Sequence, residues 1–430
     1  MNLICRVQHI TVSLHRRRSV TGSSCEKGKP LSEFETKSFQ ILSSLQENLL
    51  KIISFFGDPV AIRPVDLRDL LSIDMNLAWK ISHLAGAADV FSLGKYLPGK
   101  KAVTNFISQA AKAGVPPADV SALKKSFKDL DWLVRSYAGS RKELEVILAG
   151  LSTEERTGND SLHRRKSFEG NSYTFGVQSD LQLSTNILIA SDRTPGTVDI
   201  CRIRGQVGLY RTRPDVPWRV SGTSILDADG KVKDSAGRQY LFPFKGDGPA
   251  LIEKYSSAEL PEFGSVTDSM GRKSFYLKGH EIGIRSAINI FTAETMINSG
   301  HLYRRNPAEG AALVNTSRTP TRKYAVELYL PEEFSGSAWE VEMWSMLFPA
   351  SEHSAMTPGD RLPLSEQPVV YRPGSSPVPL PGVSVYSDLI LDCFSKINRD
   401  IKTYSMLRLT MDFPPIPASL DFIVSLPEKP

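Results

Sequence analysis

Several groups of reactive side chains in this sequence invite a chemical reading, and most fail on spacing. His280-Glu281 opens like the two-histidine helix of a zinc protease, but the fifth position is Ile284. Without a second imidazole one helical turn away, the pair cannot grip a metal ion. The four cysteines, Cys5, Cys25, Cys201 and Cys393, lie far apart with no CxxC spacing, so reduced, mostly buried thiols are expected rather than disulfides or a zinc site. The seven histidines are scattered. No GxSxG elbow, GxGxxG fingerprint or phosphate-binding loop occurs. The expectation is no catalytic residues, no metal and no cofactor, with an enzyme of unrecognised type as the third-ranked reading.

The densest local cluster is cationic: Arg202, Arg204, Arg211, Arg213 and Arg219, with Tyr210 and Trp218 nearby. Guanidinium forks match carboxylates and phosphates, so Arg202, Arg204, Arg211 and Arg213 form a candidate site for an anionic ligand. The competing reading is a solvated strand face whose arginines pair with acids on neighbouring strands. Alternation supports a strand, with Cys201, Ile203, Val207 and Leu209 on an apolar side. Arg202, Arg204, Gln206 and Tyr210 then fall on a side expected to be wet.

Charge limits what the whole molecule can do. The 430 residues carry a net charge of +5, but residues 1–25 supply four arginines and no acid. Residues 26–150 hold 17 basic against 14 acidic residues, and residues 151–430 hold 31 against 33. Neither folded part has the basic footprint of a protein that grips phosphates nonspecifically. The arginine-rich start reads as a flexible arm over residues 1–37, with contact to an anionic partner or a targeting role as alternatives. No apolar run reaches the length of a membrane span, so no membrane partner and a cytoplasmic location are expected.

The elements that must position these groups fall into two regions of different periodicity. Leu42, Leu45, Leu49, Ile52 and Phe56 recur at helical spacing, as do Leu123, Phe127, Leu130, Val134 and Tyr137, with Val103, Phe106, Ile107 and Ala110 between. Residues 38–152 are therefore expected to form a domain of five or six helices. Each long stripe can close against its own chain or against a second copy, so a homodimer is one of two readings. The polar stretch 153–169 reads as a linker. Beyond it, residues 170–430 read as a mainly antiparallel, strand-rich domain. Strands are expected near 218–226, 274–277, 288–293 and 323–330, with a turn at Asp227-Ala228-Asp229-Gly230 and a long loop over 349–382. A helix near 386–400 and a last strand near 407–411 complete an α+β chain with a late helix.

Within the helical region, residues 63–83 carry the functional expectation. Leu67, Leu71, Ile73, Ala78 and Ile81 are spaced to meet across a tight turn, Pro64 suits a first helical turn, and Asp74 suits an N-cap. Met75, Asn76, Trp79, Lys80 and His83 are left on the outer side of the second helix. This segment resembles the helix-turn-helix of bacterial transcriptional regulators, and the whole chain resembles uncharacterised bacterial proteins with a helical front half and a β-rich back half. The first resemblance implies duplex DNA as partner, with Asn76 set for adenine, Lys80 for guanine or phosphate, and Met75 or Trp79 for a thymine methyl. Two positions depart from that family: Arg68 stands where a small residue is usual, and Ser72 stands where glycine is common. The sequence thus predicts a DNA-binding transcriptional regulator with a β-rich sensing or assembly domain; the alternative is a non-catalytic module that holds a protein partner.

Overall fold

The computed structural model describes residues 3–4, 10–11, 32–59, 62–152, 156–226, 232–233, 237–242, 248–267, 273–279, 281–305, 309–346, 358–375 and 377–429. The chain forms two compact units: a helical one, Ser19–Asp160, and a strand-rich one, Met1–Arg18 with Ser161–Pro430. The fold class is α+β. Cys5, Cys25, His9, His15, His280, His353 and the Asp227–Gly230 turn lie outside the described residues.

The helical unit is built from α1 (Glu33–Ser54), α2 (Pro64–Leu71), α3 (Met75–Gly86), α4 (Lys100–Lys112), α5 (Pro117–Leu133) and α6 (Arg141–Leu151). Helix α1 starts five residues earlier than the apolar stripe suggests. Ser32 and Glu35 form a reciprocal capping box that satisfies the first backbone amides, so Glu33 to Lys37 belong to the helix rather than to an arm. The stripes on α1 and α5 both turn inward: Leu42, Leu45, Leu49, Leu123 and Leu130 have no exposed surface and share one core with α2, α3 and α6. Helix α5 ends in a π-turn over Val134–Ala138, closed by Gly139 at φ 80°. A left-handed stop of this kind suits glycine.

In place of the expected linker, α7 runs from Arg156 to Phe175. The segment is polar on most sides, which is why its composition resembles a connector. One narrow stripe nevertheless docks. Phe168 is buried and its ring lies 5.3 Å from Phe413, while the Ser172 carbonyl accepts from the Thr212 hydroxyl at 3.0 Å. From Ser161 onward the helix is thus part of the strand-rich unit.

That unit contains β1 (Leu3–Ile4), β2 (Ile10–Thr11), β3 (Val177–Ala190), β4 (Thr197–Arg211), β5 (Trp218–Leu226), β6 (Val232–Lys233), β7 (Arg238–Tyr240), β8 (Phe263–Thr267), β9 (Lys273–Leu277), β10 (Ile288–His301), β11 (Glu309–Ser317), β12 (Thr321–Leu330), β13 (Trp339–Ser345), β14 (Arg361–Leu362), β15 (Val369–Tyr371), α8 (Tyr386–Lys396), β16 (Ser405–Asp412) and β17 (Ala418–Ser425). The central sheet runs β15-β16-β12-β3-β4-β10-β7, antiparallel except where β3 and β12 run side by side. A second sheet, β14-β13-β17-β11-β2, covers one of its faces, and a third joins β1, β5, β9 and β8, with β6 paired to β5. Short pairings of β1 and β2 place two pieces of the expected arm in sheets. Strands β14 and β15 likewise interrupt the expected long loop, and β17 follows the strand near 407–411 that was expected to be last.

Alternation along the central strands sorts side chains between two cores. On β12, Tyr324, Val326 and Leu328 meet Leu313, Leu420 and Phe422 of the second sheet, while Ala325 and Tyr329 meet Leu389, Ile390 and Phe394 of α8. Both faces of the central sheet are therefore dry at its middle strands. On β4, Arg202, Arg204 and Gln206 face the second sheet rather than water; Arg202 is 3% exposed, which corrects the expectation of a wet face. The alternation is present, but a polar alternate position is no proof of solvent when a partner sheet satisfies it.

On the α8 side, Glu327 has no exposed surface and is held by Arg408 Nε at 2.7 Å, Thr185 Oγ1 at 2.6 Å and Tyr386 Oη at 2.8 Å. The two terminal nitrogens of Arg408 donate to the carbonyls of Pro379 and Val378, at 2.9 and 2.8 Å. One buried ion pair thus joins β12, β16, α8 and the chain before it. Replacing Arg408 with Met strands the Glu327 charge and is expected to cost about 3–5 kcal/mol of unfolding free energy in urea melts. The double change Glu327→Leu, Arg408→Met is expected to recover much of that loss. A single variant as stable as the parent would contradict this assignment.

Candidate nucleic-acid interface

The segment 63–86 folds as two helices joined by three residues, Ser72, Ile73 and Asp74. Pro64 occupies the first turn of α2, and the Asp74 carboxylate caps α3 by accepting from the Leu77 amide at 2.9 Å. Leu67, Leu71, Ile73, Ala78 and Ile81, the residues expected at the crossing, are all buried, together with Leu77 and Leu84. Burial of that inner side fixes which side of α3 is left outward.

Both departures from the regulator pattern have a physical resolution. Arg68 does not enter the crossing: its guanidinium turns out to Asp69 at 2.7 Å, with 42% of the side chain exposed. Ser72 adopts the left-handed conformation itself, at φ 48° and ψ 47°. That geometry carries a steric cost for a residue with a Cβ. Ser72→Gly is expected to raise the unfolding free energy by up to about 1 kcal/mol in thermal or urea melts; a clear loss of stability would show that the turn is unstrained.

On the outer side of α3, Met75 and Trp79 are 43% and 42% exposed, Asn76 is exposed, and Lys80 and His83 are half-buried. The structure therefore brings all five expected residues onto one accessible surface. The Trp79 ring lies 4.1 Å from the His83 ring and 5.4 Å from the Tyr96 ring, so one flank of the indole is supported rather than free. The His83 Nδ1 lies 2.8 Å from the Trp79 carbonyl. A carbonyl only accepts, so Nδ1 carries the hydrogen and Nε2 is left to meet a ligand. Tyr96, which the sequence alone did not single out, completes this aromatic group from the 3-10 turn Val90–Tyr96. Helical periodicity has no means of announcing it, because the ring arrives from outside the motif.

The electrostatics of the motif are balanced. Between Arg63 and Gly86 there are three acids and three bases other than histidine. Asp66 accepts from Arg63 at 2.9 Å, and that contact holds its carboxyl below the usual range. Asp69 is lowered in the same way by Arg68. Lys80 is the cation of this motif that α3 presents at its outer side.

The four arginines expected to gather around an anion are instead scattered over separate structural tasks. Arg204 reaches the Thr185 carbonyl at 3.1 Å and Asn186 Oδ1 at 3.2 Å between the sheets, and the Arg202 guanidinium lies 3.6 Å from the Met296 sulfur. Arg211 is buried and clasps the Val216 and Leu277 carbonyls, both at 2.8 Å. Arg213 donates to the Thr174 carbonyl at 2.9 Å, crossing so close to Gly176 that a Cβ there would sit 2.8 Å from its Nε. Arg219 belongs to β5 in another sheet. The run of arginines is split because Arg202 and Arg204 turn to the second sheet from the middle of β4, whereas Arg211 is its last residue and Arg213 lies beyond it.

Asp421 is a titratable group that sequence reasoning passed over. It is buried on β17 beside Glu342 of β13, its register partner, and burial pushes its carboxyl up to about 7. Cys201 and Cys393 are buried free thiols, and burial pushes the first up to about 12, so neither is a ready nucleophile. For Asp421 the folded value lies above the unfolded value of roughly 4. The folded state then keeps a proton that the unfolded chain releases, and stability falls as pH rises from about 4 to about 7, levelling off above. Urea melts at pH 5 and pH 7 are expected to show a smaller drop for Asp421→Asn than for the parent. Identical drops would contradict the shift.

No protein-family model matches the sequence, and no curated protein matches it. Among the described residues no cluster of three or more metal-ligating side chains occurs, and no helix is long and apolar enough to cross a membrane.

Proposed function

We propose that the helical unit is a DNA-reading module and that the chain acts as a transcriptional regulator, with the strand-rich unit serving in sensing or assembly. The observation that carries this reading is the outer side of α3, left accessible from Met75 to His83 while α2 and the three-residue turn bury its inner side. That is the arrangement by which a second helix enters a major groove. Asn76 suits a bidentate contact to adenine, Lys80 a guanine or phosphate contact, and Met75 an apolar contact to a thymine methyl.

The balanced charge of the motif makes a further point. With few phosphates neutralised, sequence-selective contacts must supply much of the binding energy, and the salt dependence should be shallow. Fluorescence anisotropy with duplex fragments from beside its own gene is expected to show selective binding at micromolar protein. Trp79→Ala and Lys80→Ala should each weaken it about five- to tenfold or more without changing the far-ultraviolet circular dichroism. Absence of sequence-selective duplex binding would end this reading.

The second reading, a module holding a protein partner, is favoured by one observation: two of the large side chains on that surface, Met75 and Trp79, are apolar and exposed. Tryptophan and methionine are enriched at protein interfaces. Failure of duplex binding, together with loss of a co-purifying partner in Trp79→Ala, would select it.

A further inference from the structure

Beside the C-terminal end of α8 the strand-rich unit has a cleft of about 160 Å³. Its apolar lining is Ile189 from β3, Leu241 after β7, Ile297 from β10 and Ile397 after α8. Two cations stand at the cleft, Arg193 from the turn after β3 and Lys396 from the last turn of α8. Arg193 donates to Gln239 Oε1 at 2.8 Å, an uncharged partner. Among the described residues no carboxylate forms an ion pair with either one, although Lys396 is near enough to Asp392, one helical turn back, to help lower its carboxyl. A third cation, Arg399, is already neutralised by Asp192 at 2.7 Å.

Two acids also line the cleft: Asp192, the partner of Arg399, and Asp199, which is tied inward. Asp199 accepts from the Asn298 amide at 2.7 Å and from the Ser191 hydroxyl at 3.1 Å, and is 8% exposed. Its negative charge repels a second anionic group on a ligand whose first is held by Arg193 and Lys396.

We propose that this cleft binds a small aliphatic monocarboxylate, its carboxylate held between Arg193 and Lys396 and its apolar body laid on Ile189, Leu241, Ile297 and Ile397. The lining mixes four apolar side chains with charged and polar ones, so a ligand can be held at one end by charge and along its body by apolar contact. The four apolar side chains and the two acids count against phosphate, which carries more charge and lacks an apolar body. This assignment supplies a ligand for the sensing role without depending on it, because binding is measured directly whether or not the helical unit contacts DNA.

The test is isothermal calorimetry on the full chain with 4-methylpentanoate, its neutral amide, glutarate and inorganic phosphate as probes. The acid is expected to bind with a Kd below about 1 mM, and the amide about tenfold or more weaker, the usual effect of losing one charged hydrogen bond. Arg193→Gln with Lys396→Gln should weaken the acid by at least about tenfold, with the thermal midpoint nearly unchanged because both side chains are exposed. Glutarate should bind less tightly than the monocarboxylate. The proposal is overturned if the acid does not bind at about 10 mM, if the amide binds as well as the acid, or if phosphate or glutarate binds more tightly. The comparison of acid with amide uses the unaltered protein, so it decides the matter even if the double variant fails to fold.

Discussion

Side chains in the middle of the central sheet have to be satisfied without bulk water, because α8 covers one face there and the second sheet covers the other. That constraint explains the polar groups inside this unit better than any ligand does. Glu327 and Arg408 meet in a place where either charge alone would be intolerable, and between them they use Thr185, Tyr386 and two carbonyls so that each guanidinium nitrogen has an acceptor. The same requirement shapes the opposite face. There Asn186 donates to Asn315 Oδ1 at 2.8 Å, Tyr324 donates to Ser184 at 3.1 Å, and Arg204 bridges carbonyl and amide oxygens. Asn315 opens a glycosylation-type triplet in sequence, yet its side chain is wholly buried.

The helical unit obeys a simpler rule, and its most exposed consequence is α3. Here a single apolar stripe per helix suffices, so the side chains on the far side are free of structural duty. Asp74 and Pro64 set the ends of the helices, and Leu67, Leu71, Ile73 and Ile81 set the crossing. What remains outward from Met75 to His83 is then available for contact with another molecule. The supporting stack of His83 and Tyr96 against Trp79 pre-orders the largest of these side chains, which lowers the entropy lost when it makes a contact.

Much of this was legible from the residues alone, for reasons that can be located. The two-helix segment announced itself because proline, aspartate and five apolar positions all agree on one geometry. The strands at 201–209, 218–226 and 323–330 were visible through alternation. By contrast, β3 was missed because its two faces are both buried, so Leu183, Ser184, Thr185, Asn186 and Ile187 show no polar-apolar rhythm. The arginines of β4 were misassigned to solvent for the same reason. Helix α7 hid behind a polar composition, since Phe168 and Ser172 are its only fully buried described side chains. The cleft at Arg193, Lys396 and Ile397 could not have been read at all, because its walls come from segments some two hundred residues apart.

The central claim is that the outer side of α3 is where the helical unit meets its partner. Lysine footprinting by mass spectrometry, with and without a selected duplex, tests it most directly. Lys80 should be shielded by the duplex while Lys124, exposed on α5, reacts as before. Equal reactivity of Lys80 in both states, or uniform shielding of both lysines, would contradict the account.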